Sequence, residues 1–175
     1  MLKTLNRLIL FATAVACVAQ FGYWFGRLPD IVPSHFDDQG NVNDEMNKIG
    51  FYLLFGGMHF VFLLLFPILG WGMGKIPDEM LNIPNKEYWL APERRESTLA
   101  INFEFLTACG WLTSWLLLGC FQLTALVATT NRNTINPEFS YLLVGYLMLI
   151  FGGVAFLFYS FRIPSSQSWP QQVDS

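Results

Sequence analysis

Three ionisable side chains stand where chemistry could be done: His35, His59 and Glu104. His35 precedes Asp37 and Asp38, and a histidine beside a carboxylate is the raw material of acid–base work. That pair has no company. The chain shows no nucleophile with a paired base, no phosphate loop and no metal motif. A metal site would have to draw on both histidines and fill its remaining positions with carboxylates. The acids around Gly40 do not follow the calcium-loop spacing. No catalytic residue, metal ligand or cofactor is therefore assigned, and the chain is expected not to be an enzyme.

His59 and Glu104 are set inside apolar runs. An ionisable group in such a run is expensive against lipid and is turned toward a bundle interior. Five turns of a helix, at about 3.6 residues each, carry Glu104 to Gln122, with Thr107, Ala108, Trp111 and Trp115 on the same face. Asn6, Thr13, Cys17 and Gln20 share one face of the first run. Tyr141, Gly145, Gly152 and Tyr159 share one face of the last. These three stripes are expected to meet. Gln20, His59, Glu104 and Gln122 are the intramembrane polar set. Glu104 serves either interhelical bonding, Arg94 or Arg95 of a neighbour included, or a proton or ligand site. His59 is expected to be neutral and bonded to a neighbouring helix.

The elements that must position these residues follow from composition. Apolar residues make up 53% of the 175 and charged ones 13%, with 17 Phe and 6 Trp. A soluble domain needs a charged surface that this chain lacks, so the bilayer is its solvent. The net charge of −3 argues against a nucleic-acid partner. Four uncharged runs are long enough to cross a bilayer as helices, and none alternates as a barrel strand would. The expected fold is an all-α integral membrane protein. One four-helix domain covers 1–163, with helices about 5–26, 50–73, 92–130 and 138–162, and a short polar cytoplasmic tail covers 164–175. The basic start and unbroken apolar run favour an uncleaved first span over a signal peptide or a lipid-modified Cys17. Cys109 and Cys120 are expected on the helix face away from the bundle.

Lys3, Arg7, Lys75, Lys86, Arg94, Arg95 and Arg162 fall on one side of the four crossings, against Arg27, Lys48 and Arg132 on the other. The richer side is expected in the cytoplasm, with both termini inside. Trp24, Trp71, Tyr52 and Tyr141 sit near span ends, where amphipathic rings anchor at headgroups. Gly22 with Gly26, and Gly70 with Gly74, are spaced for close helix approach, and Pro67 for a kink.

The first outer stretch, LPDIVPSHFDDQGNVNDEMNK over 28–48, is the most patterned in the chain. Pro29 and Pro33 favour extended backbone. Asp38-Gln39-Gly40-Asn41 makes a turn in which Gly40 takes positive φ. Val42-Asn43-Asp44 returns as a second strand. The expected product is a short ordered extracytoplasmic hairpin offering Pro33, His35, Phe36, Asp37, Gly40, Asp44 and Lys48 to a ligand. The middle loop is broken by Pro77, Pro84 and Pro92. Tyr88 and Trp89 dip to the interface there and Arg94 and Arg95 face anionic headgroups, as a membrane-hugging segment or a docking site for a cytoplasmic partner.

Leu28, Pro29, Val32, Pro33, His35, Phe36, Gly40, Asn43 or Asp44, and Lys48 together resemble the signature of the bacterial membrane proteins grouped as domain of unknown function 1648. LNIPNKEYWLAPERREST resembles the loop of many such proteins. The likeness covers roughly residues 5 to 100, and Glu45-Met46 departs from the aromatic often found there. It implies a multi-pass protein of the bacterial cytoplasmic (inner) membrane, related to immunity and signalling proteins of the Sdp type. The expected function is a non-enzymatic receptor, immunity-like or signalling protein. Its partners would be the lipid bilayer, an extracytoplasmic peptide or envelope ligand, and a cytoplasmic protein or a second copy as homo-oligomer. The alternative is a small transporter or accessory subunit using the Glu104 stripe.

Overall fold

The computed structural model describes residues 2–130 and 132–164. Four long helices run through it: α1 (Leu2–Phe25), α2 (Lys48–Gly72), α4 (Pro92–Thr129) and α5 (Glu138–Ser160). Each is long and apolar enough to cross a membrane. Between α1 and α2 stands an antiparallel pair, β1 (Ile31–Phe36) and β2 (Val42–Asn47). A 3₁₀ turn (Asp78–Met80) and the short helix α3 (Lys86–Trp89) lie in the connection before α4. Residues 165–175, expected as a polar tail, are outside the described residues.

Local chemistry sets the ends of these elements. Asn47 caps α2 by accepting the Gly50 amide at 2.7 Å, satisfying one of the donors a helix start leaves unpaired. Pro92 opens α4 at the first turn, where its missing N–H is no loss. α2 continues unbroken through Pro67.

α4 is the central helix, and α1, α2 and α5 all pack against it. α2 and α4 come closest where side chains are absent. A Cβ on Gly110 would lie 2.9 Å from the Phe62 carbonyl, and one on Gly70 would lie 3.1 Å from the Phe103 Cα. Close approach of this kind replaces the hydrophobic driving force that lipid does not supply. Near the hairpin, Trp24, Leu28, Val32, Phe51, Phe55, Phe121 and Ala125 form one buried cluster. Phe51 and Phe121 lie 4.9 Å apart between ring centroids, close enough for specific aromatic attraction. At the other end Leu81, Ile83 and Phe161 form a second cluster that fastens the α2–α4 connection to the end of α5.

Four expectations are corrected here. The Tyr141–Gly145–Gly152–Tyr159 stripe does not join the others. Tyr141 and Tyr159 are exposed, and nothing approaches the two glycines. α5 instead meets α4 through Tyr146, whose hydroxyl lies 3.0 Å from Thr113 Oγ1, and through Gly153 against Phe105. Glycine and tyrosine suit lipid as well as an interface, so spacing alone could not choose the face. Cys109 is buried and Cys120 half-buried, because helices surround α4 on several sides. Trp24 is buried, with its indole N–H given to Gln122 at 3.0 Å, whereas Trp71 and Tyr141 are exposed as headgroup anchors would be. Gly22 and Gly26 have no neighbour where a Cβ would stand.

Candidate functional site

The hairpin is held by its own polar atoms. Gly40 turns the chain at φ +84°, a conformation that other residues adopt only with strain. The Asp37 carboxylate accepts the Gln39 amide at 2.9 Å and the Asn41 amide at 2.8 Å. Those donors, led by the Asn41 amide, hold the Asp37 carboxyl below its ordinary range. At the foot, Lys48 Nζ reaches the Leu28 carbonyl at 3.2 Å and Asp30 at 3.3 Å. Pro33 is buried within β1.

The hairpin also leans on the connection between α4 and α5. Ile135 N donates to the Gly40 carbonyl at 3.0 Å, Val42 N to Asn133 at 3.1 Å and Asn136 Nδ2 to Gln39 at 2.7 Å. A cleft of about 470 Å³ remains between the hairpin, the start of α2, the end of α4 and the start of α5. Its floor is apolar, from Met46, Phe51, Leu54, Phe55 and Phe139. Its rim carries His35, Asp37, Asp38, Asn136 and Ser140. His35 is exposed, with Nδ1 3.2 Å from Ser34 Oγ and 3.6 Å from Asp44.

The seven hairpin residues picked from sequence therefore divide by role. His35 and Phe36 line the cleft, as do Pro33, Asp37 and Gly40. Asp37, Gly40 and Lys48 build the hairpin, Pro33 packs it, and Asp44 is an exposed neighbour of His35. Ile135, Asn136, Phe139 and Ser140 complete the cleft and were missed. The turn-rich Asn-Thr-Ile-Asn-Pro segment, on the same side of the bundle as the hairpin, was the available signal.

The intramembrane polar residues form a seam between α1 and α4. Asn6 Nδ2 donates to Glu104 Oε2 at 2.7 Å and to the Glu104 carbonyl at 2.8 Å, while Asn6 Oδ1 accepts from Trp111 at 3.0 Å. Trp115 donates to Thr13 at 3.1 Å, and Gln20 Nε2 to Leu118 O and Gln122 Oε1. The Glu104 stripe and the first-span stripe thus meet as expected. Within the chain, Glu104 pairs with Asn6. His59 is buried, but its Nδ1 lies 2.7 Å from the carbonyl of Phe55 on its own helix. Its Nε2 faces the Ser114 backbone without a well-formed hydrogen bond, and Ser114 Oγ is also unpartnered.

In the first turn of α4, Arg95 pairs with Asp78 at 2.9 Å and Arg94 stacks at 4.0 Å on the ring of Tyr88 in the preceding connection. Trp89 Nε1 donates to the Phe161 carbonyl at 2.8 Å. Tyr88, Trp89, Arg94 and Arg95 are thus all engaged within the chain, with Trp89 tying the loop to the end of α5. Among the described residues no group of three or more His, Cys, Asp or Glu is gathered as a metal site.

These elements define a helical bundle fit for a bilayer, capped at one end by a hairpin cleft. Comparison with protein-family models, curated proteins and solved structures found no match to this chain.

Proposed function

We propose that the protein is a non-enzymatic membrane receptor, immunity-like or signalling, that binds an extracytoplasmic peptide or envelope component in the hairpin cleft. The observation that carries this reading is the cleft itself, an apolar floor under a polar rim, built by two connections that brace each other. Such a site suits a ligand with an aromatic or aliphatic anchor and a few placed polar groups. Asp37 and Asp38 on the rim, with Asp44 and Glu45 nearby, favour a basic ligand and repel an acidic one. The excess of Lys and Arg at the opposite end of the bundle supports placing the cleft outside a bacterial cytoplasmic membrane, with both termini inside. The likeness to domain of unknown function 1648 rests on its motif residues and agrees with this location. The reading is tested by replacing His35 and Phe36 with Ala and measuring ligand response or toxin sensitivity in cells. No change at normal protein level would sink it.

The transporter alternative has less support. Asn6 with Glu104 and Trp111, Thr13 with Trp115, and Gln20 and Trp24 with Gln122 bond to one another along the seam, which interhelical packing alone explains.

A further inference from the structure

α1 and α5 both pack on α4 but not on each other. Between them, at the end of the bundle away from the hairpin, lies a lateral groove of about 670 Å³. Ile9, Ile101, Phe105, Ala108 and Phe156 give it apolar walls. Glu104 also lines it. The residue is 7% exposed, and its carboxylate receives the Asn6 amide. Among the described residues no Lys or Arg pairs with it. A carboxylate in an apolar groove with one amide donor is electrostatically incomplete. Lys3 lines the same groove and is exposed at its mouth. It stands three residues before Asn6, about 4.5 Å along the helix axis.

An acid within, a base at the mouth and an apolar slot open to the side complement a zwitterionic lipid head with a chain attached. We infer that this groove is a binding site for an aminophospholipid of the phosphatidylethanolamine type. Its primary ammonium donates to Glu104, its phosphate faces Lys3, and one acyl chain lies along the α1–α5 gap. A choline head has the same charges, but its quaternary nitrogen has no hydrogen to donate. A glycerol head has no cation. The site thus selects on hydrogen-bonded charge and not on apolar area, which any lipid supplies. It lies at the other end of the bundle from the hairpin cleft and does not depend on what that cleft binds.

The test uses the full chain purified in mild detergent and offered equal amounts of phosphatidylethanolamine, phosphatidylcholine and phosphatidylglycerol with matched chains. Native mass spectrometry then reads which lipid survives removal of loosely held annular lipid. Phosphatidylethanolamine is expected to be retained about tenfold over phosphatidylcholine, the scale of one hydrogen bond to a charged group. Glu104→Gln is expected to abolish that preference. Lys3→Gln is expected to lower retention of phosphatidylethanolamine while leaving it ahead of phosphatidylcholine. Phe156→Trp, which crowds the groove without touching the acid, is expected to lose the retained lipid and serves if Glu104→Gln does not fold. Equal retention of the three lipids, an undiminished preference in Glu104→Gln, or full retention in Phe156→Trp would each overturn the inference.

Discussion

Gly40 and Asn136, on two different connections at the hairpin end of the bundle, pack against each other. A Cβ at Gly40 would lie 2.6 Å from Asn136 Nδ2 and 2.7 Å from its Cγ, while Asn136 donates to the neighbouring Gln39 carbonyl at 2.7 Å. Gly40→Ala therefore meets both a positive φ and a side chain in its way. The substitution is expected to destabilise the hairpin by ~1–3 kcal/mol and to separate it from the α4–α5 connection. Hydrogen exchange should quicken at Ile135 and Val42, whose amides cross that junction. Asn136→Ala should quicken the same amides with a smaller loss, since it adds no strain.

Asp37 makes the hairpin sensitive to acid. Its carboxyl is held low by the Asn41 amide first, then by the Asn41 side chain and the Gln39 and Gly40 amides. A group with a depressed folded pKa contributes stability above its unfolded pKa, and that stability is lost as pH falls through the folded value. Exchange protection at Gln39 and Asn41 is thus expected to hold from neutral pH to about pH 4 and to decline below it. Asp37→Asn should show weaker protection with no such decline, read by amide exchange across that range.

How much of this was legible follows from which signals had one physical meaning. A carboxylate and an amide at helical spacing tolerate lipid poorly, so the stripes through Asn6 and Gln20 and through Glu104 and Gln122 had to face inward and meet. Two prolines and a glycine likewise allowed few paths for the hairpin. Glycine and aromatic residues on α5 had no such constraint, and their inward face was misread. The cleft was half legible. Its hairpin wall carried a pattern, whereas Phe139 and Ser140 became part of it only when the fold brought α5 alongside.

The seam predicts an asymmetry between two partners in one hydrogen-bonded group. Asn6→Leu strands both the Glu104 carboxylate and the Trp111 indole N–H, and is expected to destabilise the bundle by ~1–3 kcal/mol. Glu104→Gln keeps an acceptor for Asn6 and should cost less. Thermal unfolding of the purified protein in detergent compares them, and a smaller loss in Asn6→Leu would contradict the pairing.

Orientation has a direct check in whole cells. Asn43→Cys is expected to react with a membrane-impermeant maleimide on intact cells, above the background of the parent chain. Lys86→Cys is expected to react only after lysis. The reverse pattern would place the hairpin in the cytoplasm and remove the external ligand.

The cleft itself is tested most directly by ligand selection on the purified protein in nanodiscs. Peptide pools alike in aromatic content but basic, neutral or acidic in charge are compared for retention, then repeated with Phe36→Ala and Asp38→Asn. The basic pool is expected to be retained best. Phe36→Ala should reduce its retention about tenfold through lost apolar contact, and Asp38→Asn should reduce its advantage over the neutral pool. Equal retention of all three pools, or retention of the basic pool unchanged by both substitutions, would contradict the cleft as the protein's binding site.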